Sequence, residues 1–314
     1  MGVWWTHARR PSPVSPVPPM NPVLLLTAVA PLIWGTTYLI TTTYLSNLPA
    51  PLLGTLRILP AGLLLLALVR SLPPRAWWGR IAVLSLLRQG LFFTLLYASA
   101  LRLPGGVAAT IGASSAMLVV FLAWPLLHQP PSRRNLTLAG LGLVGVALIS
   151  VSGGGRLDPL GILMALGFAL VNALGVTLFK RWGAPAGATP LHQVAWDLTL
   201  GGLLLLPLSA ADLPRLGSLP LNGWLALGFL TLVGTAVAAL LWQRGLNHLP
   251  VQQVSLLAPL SPFTALILDV LIVHRTLGPA QWLGAALVLG SVVASAWPAR
   301  LRPAAQPAEK QLVS

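Results

Sequence analysis

The apolar positions of this chain neither alternate nor recur on one helical face; they run on without interruption. Ten stretches reach the roughly 20 mostly apolar residues that cross the hydrocarbon core of a bilayer. They fall at 22–44, 51–69, 79–101, 104–127, 135–151, 158–179, 190–208, 222–244, 250–273 and 279–298. The breaks are short and rich in proline and glycine, as at Pro49/Pro51, Pro73-Pro74, Pro104-Gly105-Gly106, Pro130-Pro131, Gly153-Gly154-Gly155 and Gly278-Pro279. Both residues are tolerated inside spans but are the expected punctuation between them. The pattern predicts an all-α integral membrane protein of ten transmembrane helices.

Composition agrees. Hydrophobic residues make up 56% and charged residues 8% of the 314, where about 25% charged is usual in soluble proteins. So few charges cannot clothe a soluble surface, which excludes a soluble enzyme, a disordered chain and a coiled coil. Cysteine is absent, so disulfides, zinc–thiolate sites, iron–sulfur clusters and cysteine nucleophiles are excluded. No Walker loop, HExxH or GxSxG is present, and no cofactor or metal is expected.

The net charge of +14 is spread as single residues and pairs between apolar runs, with no contiguous basic face. Nucleic acid is therefore not an expected partner; the lipid bilayer is. With the N-terminus inside, 13 Lys and Arg fall in inner segments and 4 in outer loops, while Arg57 and Arg88 lie within spans. That positive-inside bias places both termini in the cytoplasm. Segments 1–21 and 299–314 read as disordered cytoplasmic tails. Ala28-Val29-Ala30 mimics a signal cleavage site, but the apolar run before it is too short and Pro31 follows, so the first helix reads as uncleaved. The preference for Arg over Lys suits a GC-rich genome and a bacterial plasma (inner) membrane.

The second half echoes the first. Leu103-Pro104 and Leu249-Pro250 are 146 residues apart, as are Ser115 and Ser261, and His128 and His274. Five spans fall in each half, 22–152 and 157–298. An odd number forces the second copy to enter from the opposite side, giving two inverted five-helix repeats with a substrate site near the midplane between them.

Several motifs then occur in order. Leu32-Ile33-Trp34-Gly35-Thr36 lies in the first span, and Arg57 precedes Ala61-Gly62-Leu63-Leu64-Leu65 in the second. A longer run extends from Trp224-Leu225-Ala226-Leu227 through Gly234-Thr235-Ala236, Leu241-Trp242, Val254-Ser255-Leu256-Leu257 and Ser261-Pro262-Phe263 to Gln281-Trp282-Leu283-Gly284. Over about residues 22–297 the chain resembles EamA-type members of the drug/metabolite transporter superfamily. The resemblance implies a ten-helix exporter or facilitator of small metabolites, often amino acids or related compounds. One departure stands out: such repeats usually close the fourth and ninth spans with glutamate, where this chain has His128 and His274. That removes support for proton coupling at those positions.

Charges inside spans mark functional sites by default. Arg88, near the middle of span 3 beside Gln89, can anchor a carboxylate or phosphate of the substrate; its bland alternative is an ion pair with Asp197. Asp197 and Asp269 are candidates for proton coupling. Asp269 and Arg57, near outer span ends, can also simply reach headgroups or a neighbour, and Arg57 reads as structural. Trp34 and Tyr38 share one face of span 1. With Tyr97, Asn172, Thr235, Trp242, Gln243 and Ser255 they offer the mostly apolar wall with a few polar groups that a metabolite site needs. Ordinary bundle packing is the alternative for each. Trp77, Trp78, Trp182, Trp224, Trp282 and Trp297 read as interface anchors. Small residues every four positions, Ala165 to Thr177 in span 6 and Ala286-Gly290-Ala294 in span 10, predict close contacts within the bundle, with span 10 also a face for a homodimer.

The expected function is a secondary transporter of small metabolites working by alternating access. A flippase for a lipid-linked intermediate, with the same fold, is the alternative.

Overall fold

The computed structural model describes residues 22–128, 130–151, 158–249, 257–258 and 260–296, and their secondary structure is helical. Helices α1 (Pro22–Tyr44) and α2 (Ala50–Val69) are regular. α3 (Arg75–Ala100) begins with a 3-10 turn and carries a π-helical segment at Leu86–Leu91. α4 (Gly105–Leu127) breaks its α-geometry at Ser114. There follow α5 (Arg133–Val151), α6 (Pro159–Trp182) and α7 (Pro190–Ser209). A 3-10 stretch, Ala210–Ser218, leads to α8 (221–248), whose centre, Phe229–Val237, is again π-helical. α9 (Leu260–Leu271) and α10 (Pro279–Ala296) complete the described helices. Among the described residues, seven helices are long and apolar enough to cross a membrane.

Local chemistry sets the ends. Proline opens α2, α6 and α7, where its missing N–H costs nothing and its fixed φ suits the first turn. Asp158 caps α6 by accepting from the Leu160 N–H, and Thr189 caps α7 in a reciprocal box with His192. Arg102 bonds Asp158 at 2.9 Å and holds that exposed carboxyl below the usual carboxylate range. His128 and His274 both adopt a left-handed conformation, φ 56° and 54°. Few non-glycine residues do so, yet these two, 146 residues apart, share it.

Close approach is built on glycine. α2 and α7 cross where Gly62 lies against the backbone of Thr199, and Gly202 against the backbone of Leu59. The two contacts are reciprocal, each residue being 140 positions from its counterpart, and the helices run antiparallel. Gly245 on Thr27 sets α8 antiparallel to α1, and Gly161 on Leu103 with Gly175 on Arg88 does the same for α6 and α3. The starts of α1, α3, α7 and the ends of α2, α6, α8 therefore lie at one end of the bundle. At the opposite end Leu45, Leu48, Leu52, Leu53, Tyr97, Ala100 and Leu103 form a buried cluster.

The small-residue faces divide. Ala165, Ala169, Ala173 and Thr177 are buried, as expected. On α10 the expectation of bundle contacts fails for Ala286 and Gly290, which point outward; the bundle-facing side is instead Gly284, Ala285 and Val288. Trp78, Trp224 and Trp282 are exposed near helix ends, as anchors would be, and Trp297 lies outside the described residues. Mutation should separate the two glycine classes. A methyl at Gly62 would meet backbone, and overpacking costs about 1–3 kcal/mol; nothing lies within 4 Å of a methyl at Gly290. Gly62→Ala is expected to lower the melting temperature in detergent, and Gly290→Ala to leave it unchanged, in a fluorescence-detected thermal ramp.

Candidate functional site

A cavity of about 510 Å³ lies in the middle of the bundle, within the usual range for small-molecule sites. It is bordered by α1, α2, α3, α4, α6, α7, α8, α9 and α10. Trp34, Tyr38, Phe92, Phe93, Phe168 and Trp242 make an aromatic wall, and Thr37, Arg57, Arg88, Gln89, Ser115, Asn172, Thr235, Gln243 and Ser261 supply polar groups. Tyr38, Leu96, Ala109 and Phe168 join it to the leucine-containing cluster, and Trp242, Gln243, Val176 and Val194 extend it toward the opposite end.

Both π-helical segments border it. A π turn holds more residues than an α turn and disturbs the regular ladder, a distortion frequent at functional sites. Arg88 and Gln89 sit on the segment of α3, and Gly234 and Thr235 on that of α8, 146 positions further on. The Gly234 carbonyl accepts two long-range bonds, from Trp34 Nε1 and from Arg57 Nη2, each at 3.0 Å.

Arg57 is the centre of the polar network. It is 2% exposed. Its Nε donates to Thr235 Oγ1 at 2.8 Å, and its Nη1 to Thr37 Oγ1 at 3.1 Å and Tyr97 Oη at 3.2 Å. The guanidinium also stands 4.7 Å from the centre of the Phe93 ring, a cation–π contact. Every one of these partners is formally neutral. Arg88, by contrast, is ion-paired: its Nη1 lies 2.6 Å from Asp197 Oδ2, and the Ser85 hydroxyl adds a 3.5 Å contact to Oδ1. The stem of Arg88 packs on Gly175, and its head lies 5.1 Å from the Phe179 ring.

Eight of the ten residues that the sequence offers for substrate binding border this one cavity: Trp34, Tyr38, Arg88, Gln89, Asn172, Thr235, Trp242 and Gln243. Trp34 and Trp242 form a tilted ring pair at 5.4 Å, and Asn172 Nδ2 donates to Ser115 Oγ at 3.3 Å. Tyr97 is not on the cavity wall. It is fully buried in the cluster at the sealed end, and its hydroxyl instead braces Arg57. Ser255 lies outside the described residues. Asp197 sits behind Arg88 rather than on the wall, and Asp269 does not line the cavity but accepts the Gly106 N–H at 3.0 Å at the head of α4. Neither Asp269 nor Arg57 reaches out to headgroups; both are buried.

Arg57 is the residue that the sequence reading undervalued. The signal was available. α2 and α7 are both 20 residues long, and Arg57 and Asp197 are each the eighth. Each charge reaches the π-helical segment of the other half: Arg57 that of α8, and Asp197 that of α3.

Comparison with known proteins agrees with this architecture. Two segments, 21–151 and 159–297, match the EamA-like transporter family. The protein PecM of Dickeya dadantii is 35% identical over 264 residues, covering 84% of this chain and 89% of its own length. The uncharacterized transporter YwfM of Bacillus subtilis is 29% identical, over 89% of this chain and 96% of its own. The uncharacterized inner membrane transporter YedA of Escherichia coli is 26% identical, over 83% and 86%. One protein crystal structure superimposes with a TM-score of 0.60 at 20% identity, over 88% of this chain and 98% of that one, a likeness of fold. The chain belongs to the EamA-like transporter family and is a multi-pass membrane transporter.

Proposed function

We propose that this protein is a secondary transporter that moves small metabolites out across a bacterial plasma membrane, with the central cavity as its substrate site. The observation that carries this reading is the cavity itself: an aromatic chamber with two guanidinium groups on its border, between two halves that repeat each other's contacts. The reciprocal Gly62–Thr199 and Gly202–Leu59 contacts, the paired π-helical segments and the matching left-handed histidines favour two inverted five-helix repeats, 22–152 and 157–298. The positive-inside count favours ten spans with both ends cytoplasmic.

The mechanism is alternating access. In the arrangement described here the leucine cluster closes the end that this topology makes external, and the cavity lies toward the cytoplasmic end. Rocking of one repeat on the other about the glycine crossing of α2 and α7 would open the cluster and close the opposite side. Arg88 can serve as an anchor without losing Asp197, because one of its five donors is committed to that carboxylate and its side chain borders the cavity. A lipid-linked cargo gains no support: Arg57 borders a chamber inside the bundle and lines no open headgroup groove.

Three experiments test this reading. Purified protein in proteoliposomes, loaded with a mixed pool of amino acids, purines and organic acids, should exchange members of one class in counterflow followed by mass spectrometry. Arg88→Ala should slow that exchange by about tenfold or more, the worth of one charge-assisted hydrogen bond; an unchanged rate would remove Arg88 from the site. The chain has no cysteine of its own, so single-cysteine variants report topology directly. Ala184→Cys should react with an impermeant maleimide only from the cytoplasmic side, and Ala211→Cys only from the external side.

A further inference from the structure

We infer that the cargo of this cavity is an organic monoanion without an ammonium group, an aromatic carboxylate in kind, with its acidic group drawn to Arg57. The inference rests on the reading of the cavity as the transport site and narrows its substrate class.

The whole chain contains five carboxylates. Asp158 is paired with Arg102, and Asp212 with Arg215, both away from the cavity. Asp269 takes the Gly106 N–H. Asp197 is paired with Arg88. Glu309, the fifth, lies outside the described residues, beyond the last span. The border of the cavity therefore carries two guanidinium charges and, through Asp197, one carboxylate in compensation. One positive charge is left over, and it belongs to Arg57.

A guanidinium stays protonated at any physiological pH, and an isolated charge in a low-dielectric interior is costly unless an opposite charge meets it. Four of the five Arg57 N–H groups are taken by Thr235, Thr37, Tyr97 and the Gly234 carbonyl. These bonds fix its orientation and leave one Nη2 N–H. Thr37, which accepts from Arg57 and borders the cavity, keeps its own hydroxyl proton to donate. One N–H and one O–H beside an uncompensated cation suit one carboxylate.

The same balance of charge rejects other cargo. An amino acid brings an ammonium as well, and no unpaired carboxylate borders the cavity among the described residues to receive it; it would face two guanidinium groups instead. A phosphate monoester carries nearly two negative charges at neutral pH, more than the single surplus offsets. The aromatic wall favours an aromatic or similarly apolar body for the acid.

The test is counterflow with three compounds that share one phenyl ring: 3-phenylpropanoate, phenylalanine and phenethylamine, each measured against protein-free vesicles, with the mixed pool in parallel. The acid should exchange about tenfold faster than the zwitterion, the minimum worth of an unpaired charged hydrogen-bonding group, and the amine should not exchange. Arg57→Lys should keep the preference for the acid, and Arg57→Gln should abolish it; the wild-type comparison decides the matter if either variant fails to fold. Exchange of phenylalanine or phenethylamine as fast as the acid overturns the inference and leaves the transporter standing, as does exchange confined to amino acids or purines in the mixed pool. No exchange by any member of the pool overturns both.

Discussion

A guanidinium cannot shed its proton, and α2 carries one into the middle of an apolar bundle at Arg57. Much of the surrounding structure answers to that burial. Thr37 from α1, Tyr97 from α3 and Thr235 with the Gly234 carbonyl from α8 converge on it, so a single side chain ties four helices together. The π-helical geometry of α8 serves this convergence. Lengthening of the turn presents the Gly234 carbonyl to both Arg57 and Trp34. Phe93 offers its ring face to the cation, and no carboxylate lies within ion-pair reach among the described residues.

Glycine supplies the second constraint. It sets how closely α2 and α7 approach. At the α2–α7 crossing Gly62 and Gly202 bring backbone onto backbone, and Ile58, Ala61 and Leu65 pack beside it against Ala195, Leu198 and Leu205. Arg57 bonds Gly234 and Thr235 on one π-helical segment and Asp197 bonds Arg88 on the other, either side of this crossing, so a change in its angle alters both networks together. Two charges of opposite sign at equivalent positions of two similar halves make the halves alike in shape and unlike in field.

The helices were legible from the sequence because a membrane span requires an unbroken apolar run; α1 is found at Pro22–Tyr44, as the run predicted. Most of the cavity wall was legible too, since polar and aromatic residues stand out against such a background. What escaped was depth and direction. Arg57 is eight residues into its helix, close enough to an end for a long side chain to snorkel, and only the packing of α7, α8 and α3 around α2 shows that it cannot. Tyr97 is one helical turn beyond Phe93 on the same face, yet that turn carries it from the chamber into the sealed end. The outward turn of Ala286 and Gly290 was equally hidden, because a row of small residues marks where a helix could be approached and not which neighbour approaches.

The leucine cluster at that sealed end has an electrical consequence. A cavity that admits water carries the potential of the compartment it faces, while a packed apolar layer such as that of Leu45, Leu48, Leu52 and Leu53 gives ions no polar path. The transmembrane voltage then falls across this packing rather than along the whole bundle, concentrated into a few side-chain layers beside Arg57. A single negative charge moved from one side of the packing to the other crosses nearly the full drop, worth about 2.3 kcal/mol per 100 mV. In a cell whose interior is negative, that sign favours outward movement of an anion, so the cargo and direction proposed above would draw on the resting potential.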